Sequence, residues 1–181
     1  MPAVQYCSPP ARLALMQTRL YGLVPFAARD KYQQGRGNML IKLAGITLSD
    51  AKGREMDQAS LVTYLAETPL LPGAFLLNQM EWQETGANSV QASITDAGIT
   101  VCGKFFFDDW GRVYEFRTND RFYSKDGKDY LNWGWSALYD RYREMNGVNV
   151  PTVVRAVWHM PGGRDYTYFR AGIKEITDQA E

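Results

Sequence analysis

The chain has 181 residues, with 20 basic and 20 acidic side chains, one histidine and a formal net charge of zero. That length suits one domain with a real core, and the even charge without like-charge blocks predicts no electrostatic footprint for nucleic acid or an anionic membrane. The two cysteines, Cys7 and Cys102, belong to no C-x-x-C pair, which argues against a disulfide framework or a structural zinc site, and no apolar run approaches the about 18 residues of a membrane-spanning helix.

Residues 1–10 read as an irregular lead-in ending at Pro9–Pro10. They have neither the charged start nor the apolar centre of a signal peptide, so the expected location is cytoplasmic by default, or envelope-associated if the natural protein extends upstream. Residues 12–21 follow a strand pattern, with Gly22 and Pro25 as a turn, and residues 26–33 form a more polar second strand. The G-R-G at 35–37 bends the chain. Residues 38–43 alternate, with Met39, Ile41 and Leu43 on one face; Gly45 suggests a bulge before a continuation at 46–48.

Residues 57–82 carry the strong helical signal. Asp57 suits the N-cap, since its carboxylate can accept from free amides of the first turn. Leu61 and Leu65, like Val62 and Ala66, are four apart and share an apolar face. Pro69 ends the helix near Glu67 by pushing its predecessor out of the α region. The run 70–77, broken by Pro72–Gly73, permits another short helical turn. A helix so poor in charge must be covered, and strands supply the cover.

After it come strands at 80–85, 90–95 and 99–107, separated by turns at 86–88 and 96–98. Asp108, Asp109, Trp110 and Gly111 make a tight hairpin. Strands follow at 112–118 and 120–124, with a turn at Asp126–Gly127. Residues 132–145 fit a helical stripe through Leu138, Tyr142 and Met145; their aromatics and the Asn146–Gly147 hairpin signal favour a strand. Strands at 150–160 and 165–176 end the fold, leaving a polar tail at 178–181. Aromatics make up 13% of the chain and sit in these strand-like segments. The prediction is a mainly β protein with minor α: nine or ten antiparallel strands in one meander, residues 11–177, curled by strand twist into an open or half barrel with the helix on its concave side.

Several signatures occur together: Pro10-x-Arg12 followed by Met16, the strand entry at 36–39, LVTYLAETPLLP at 61–72, Trp82, F-x-F-D-x-x-G at 105–111, Asp120–Arg121, Trp135, Asn146–Gly147 with Pro151, Trp158, and residues 166–169. The set resembles an uncharacterised, mostly bacterial family of unknown function, over about residues 10–176. The strand order with a single helical insert also resembles the lipoprotein carriers LolA and LolB. That second resemblance implies a half barrel closed by helices around an acyl-binding hollow.

Candidate sites follow from the expected concavity. Phe105, Phe107, Tyr114, Phe116, Trp135 and Trp158 either line a lipid-sized hollow or fill a core. Glu67, at the end of an apolar helix, needs a partner once enclosed; Arg121 and Arg29 are the candidates. The function expected is non-catalytic binding of an apolar or amphipathic ligand, a lipid or acyl chain, by Glu67, Arg121, Phe105, Phe107, Phe116, Trp135 and Trp158. Alternatives are a hydrolase-like enzyme using Glu67 with Asp120 or His159 in the same hollow, and a structural or partner-binding module of a larger envelope-associated protein. No catalytic set, metal site or cofactor motif is read: His159 lacks a serine or cysteine in an elbow, and Asp108–Asp109 reads as hairpin chemistry.

Overall fold

A computed structural model describes residues 1–125 and 129–177. The turn expected at Asp126–Gly127 and the tail 178–181 lie outside the described residues. The fold is 62% strand and 12% helix, antiparallel throughout, with one α-helix among the described residues.

Five strands come first: β1 (Ala3–Ser8), β2 (Ala11–Leu20), β3 (Val24–Gln33), β4 (Arg36–Leu43) and β5 (Ile46–Ala51), paired in chain order. Then come helix α1 (Arg54–Ala66) and two short 3-10 helices, Thr68–Leu70 and Pro72–Leu76. The second half contains β6 (Met80–Gly86), β7 (Ser89–Asp96), β8 (Ile99–Phe107), β9 (Val113–Thr118), β10 (Phe122–Tyr123), β11 (Leu131–Asn132), β12 (Gly134–Met145), β13 (Val148–Met160) and β14 (Arg164–Gly172). Seven of these make a second sheet, ordered β14-β13-β12-β9-β8-β7-β6, from which β10 and β11 stand out as a small hairpin.

Local chemistry explains the meander. Gln34–Gly35, Ala44–Gly45, Ala97–Gly98 and Asn146–Gly147 are two-residue connections with both members at positive φ. Such turns match the twist of the strands they join. Gly45 is therefore a turn residue, not the bulge expected. Residues 132–145 resolve as strand. The expected lead-in at 1–10 contains β1, which pairs along β2 from Ala3↔Met16 to Ser8↔Ala11. Its ladder bonds were invisible to a reading based on apolar alternation.

The two sheets are not closed into a barrel, and the one long meander expected is two sheets. Helix α1 lies between them, touching β3 and β4 on one side and β7 and β8 on the other. Leu61, Val62, Tyr64 and Leu65 of the helix are fully buried with Tyr32, Ile94, Val101, Phe105 and Phe116. Pro69 does end the helix, with Glu67 as its C-cap. At the other end Gly53, not Asp57, is the N-cap, and no side chain caps the amides. Asp57 sits in the helix interior and accepts the Gly37 backbone N–H at 2.7 Å. A buried strand amide has the stronger claim on that carboxylate than a helix end open to water. The close approach also needs Gly37 itself: a Cβ there would lie 2.4 Å from the Met56 carbonyl oxygen and 2.5 Å from Ser60 Oγ.

The register of the first sheet orders its inner face into rows, because every second side chain points the same way. Cys7, Arg12, Tyr32 and Gly37 form the row beside the helix. Gln5, Ala14, Asp30 and Met39 form the next. Beyond it lie Ala3, Met16, Ala28, Ile41 and Ser49, then Thr18, Phe26, Leu43 and Ile46.

Candidate functional site

The aromatic candidates are drawn together, as core. Phe105 and Phe116 are fully buried, and their ring centroids are 4.7 Å apart. Trp135 follows at 6.3 Å from Phe116, and Trp158 is buried one strand further on. Phe107 packs, partly buried, at the end of β8. Tyr114 is exposed, with its ring 6.2 Å from Phe106, and is not part of the set. Between sheet and helix these rings, together with Leu61, Val62 and Leu65, occupy the interior.

Glu67 and Arg121 are not partners. Arg121 donates to the Ala59 carbonyl oxygen at 2.9 Å and to the Thr63 hydroxyl, while its guanidinium lies 4.8 Å over the Trp135 ring. It ties α1 to the larger sheet. Arg29 donates to Asn38 on the neighbouring strand. The partner of Glu67 is Arg12 of β2, whose Nε and Nη2 each donate to the carboxylate at 3.0 Å. Arg12 Nη1 also donates to Asp30 Oδ2 at 2.7 Å. Burial alone would lower the Arg12 pKa, but Glu67 and then Asp30 outweigh it and raise it further.

Around this buried guanidinium the cluster is polar and acidic. Gln5 donates to Glu67 at 2.7 Å and to Cys7 Sγ at 3.3 Å. Burial first, and then the charge of Glu67, push the Cys7 thiol up, with Gln5 and Arg12 opposing. One cation facing two carboxylates leaves an excess negative charge, and Asp30 Oδ1 is buried without a hydrogen-bond partner. Such an acceptor is suited to an incoming donor, a hydroxyl or an ammonium.

The cluster marks a boundary on the inner face of the first sheet. On one side lies the helix-covered row with Tyr32 and Gly37. On the other, Met16, Phe26, Ile41 and Leu43 are only half-buried and Ile46 is exposed. The inner face continues past the helix as an apolar surface that starts at two carboxylates. Sequence reasoning missed Arg12, Asp30 and these apolar rows. The signal was present: Arg12 shares its strand face with Ala14 and Met16, and an arginine at an inward position must have a buried partner.

His159 has surroundings that its sequence context concealed. Its Nε2 is 2.7 Å from Ser136 Oγ and its Nδ1 is 2.8 Å from Asp165 Oδ1. The order serine, histidine, aspartate is that of a hydrolytic triad. However, Ser136 is fully buried, and its hydroxyl is also 2.8 Å from Glu115 Oε1, which Arg117 grips through Nε and Nη2. A nucleophile must meet its substrate; this hydroxyl is enclosed by its own partners. Glu115, Ser136, His159 and Asp165 form a polar tie across β9, β12, β13 and β14, on the face opposite Trp135 and Ala137. Asp120 is engaged elsewhere, accepting the Cys102 backbone N–H at 2.6 Å. Glu67, Asp120 and His159 are thus held by three different sets of partners. Among the described residues no group of three or more His, Cys, Asp or Glu could hold a metal ion, and no helix is long and apolar enough to cross a membrane.

The profile of DUF6544, a family of unknown function, matches residues 1–171, so the chain belongs to that family. No curated protein and no solved structure shows a match.

Proposed function

We propose that this member of the family is a non-catalytic binding protein for an amphipathic ligand. The apolar part of the ligand lies on the open half of the first sheet's inner face, and its polar end meets the Arg12, Asp30 and Glu67 cluster. One observation carries the reading: Met16, Phe26, Ile41 and Leu43, all only half-buried, run outward from a charged cluster with a free buried acceptor. A solvent-facing apolar surface bounded by polar groups marks a place where something binds.

Burial supplies the energy. At about 25 cal/mol per Å², covering roughly 200 Å² of apolar surface gains about 5 kcal/mol before the cost of ordering the ligand. The excess negative charge selects the polar end, favouring donors over another carboxylate or a phosphate. This differs from the site expected between helix and larger sheet, where rings and leucines already occupy the space. The resemblance to lipoprotein carriers is of architecture alone and adds only a weak analogy.

Native mass spectrometry of the purified protein, followed by organic extraction, tests the reading. A reproducible adduct of lipid size is expected. Phe26→Gln should lower the affinity for an apolar fluorescent probe by about tenfold, the effect of losing roughly 1.4 kcal/mol of burial. A clean apo mass with no probe uptake would overturn the proposal.

A further inference from the structure

We infer that the free end of the first sheet is a docking surface for an anionic lipid bilayer. The β2–β3 hairpin ends in Leu20, Tyr21, Gly22 and Leu23, and the β4–β5 hairpin ends beside it. The Ala44 backbone N–H donates to the Pro25 carbonyl oxygen at 2.7 Å and holds the two ends together. Their large apolar side chains face water: Tyr21 is 98% exposed, Leu23 77% and Ile46 68%. Nothing in the fold requires these residues at turn tips, where small polar residues normally serve.

Charge supplies the second, independent observation. The first sheet, residues 3–51, holds six basic side chains and two acidic ones, Asp30 and Asp50, although the whole chain is neutral. Asp30 is spent on the buried Arg12. The charged residues nearest the tips, Arg19 and Lys42, are both exposed, on the face away from the apolar rows. The neutral total therefore conceals an excess of basic side chains in this sheet. Apolar tips flanked by cations are the chemistry that enters the boundary between headgroups and acyl chains, with anionic lipid adding electrostatic attraction. A protein partner fits less well: two hairpin ends are a narrow surface against the about 800 Å² per partner of a stable interface.

The apolar rows begin at these same tips, so a docked sheet would open its proposed ligand face directly toward the bilayer. The docking itself does not depend on ligand binding, and the two are tested separately.

The test is co-sedimentation of the full chain with vesicles, either phosphatidylcholine alone or phosphatidylcholine with phosphatidylglycerol, at low and high salt. The wild type should pellet with the anionic vesicles, and less so as salt rises. The double variant Tyr21→Ser/Leu23→Ser should bind about tenfold more weakly, and so should Arg19→Gln/Lys42→Gln, whose residual binding should lose its salt dependence. Neither variant touches the charged cluster or the apolar rows, so circular dichroism and probe uptake without vesicles should match wild type. Absence of pelleting with anionic vesicles would overturn the inference, as would unchanged pelleting of the Tyr21/Leu23 variant. So would concentration-dependent self-association that this variant abolishes, since that would assign the tips to a second copy of the chain. Loss of probe uptake with intact vesicle binding would instead count against the ligand site alone.

Discussion

Arg12 is nearly excluded from solvent, and its side chain is worth having inside only while both carboxylates face it. Removing one member of such a set costs more than the set contributes, because the charge left behind is not rehydrated. Glu67→Gln should therefore lower stability by about 2 kcal/mol, the partly exposed carboxylates keeping the loss below that of a fully enclosed pair. Urea unfolding measures it, and an unchanged midpoint would mean that Arg12 finds water. Tyr64 is the opposite case. Its hydroxyl is buried and makes no hydrogen bond, and burial, followed by Cys7 and Glu67, raises its pKa. Tyr64→Phe removes a group that lost its water and gained nothing, so stability should be unchanged or up to about 1 kcal/mol higher. A clear loss in the same urea experiment would show that the hydroxyl has a partner in solution.

At the scale of elements, α1 is held by close approach on one side and by hydrogen bonds on the other. Gly37→Ala would press a methyl group into the Met56 carbonyl and the Ser60 hydroxyl. Neither the helix backbone nor β4 can yield freely, so a loss of about 2–3 kcal/mol is expected, seen as a lowered thermal midpoint. The polar tie across β9, β12, β13 and β14 is another element-scale device. Ser136→Ala should cost about 1 kcal/mol of stability and leave probe uptake unchanged, because the hydroxyl serves the sheet rather than a ligand. Much of this scale was legible in the sequence. Leu61, Leu65, Val62 and Ala66 were placed on the buried face by their spacing, and Pro69 fixed the helix end. What escaped depended on pairing between distant segments: Asp57 reaching Gly37, Arg12 reaching Glu67, Ser136 reaching His159. Helical and strand periods report which way a side chain points, not what lies there.

The molecule as a whole is unevenly consolidated, and that unevenness bears on the proposed ligand site. The interior strands β8, β9 and β12 are paired on both edges and covered by α1 or its flanking rings, so their amides should open only with global unfolding. The outer half of β2, β3 and β4 is paired but only partly covered on its inner face. Its amides, from about Thr18 to Phe26, should exchange through local opening at far lower free energy. The sequence revealed an apolar alternation at Met39, Ile41 and Leu43 of β4 but not the rows that continue it across β3 and β2, nor that the helix stops short of them, since that depends on where the two sheets meet. Native-state hydrogen exchange with and without an apolar probe follows from this asymmetry. Probe bound on the open rows should slow exchange across β2, β3 and β4 by about tenfold when its concentration is about ten times its dissociation constant, and leave Val101, Phe105 and Phe116 unaffected. Slowing confined to β8 and β9 would put the ligand under the helix, which would require the core rings to separate to admit it.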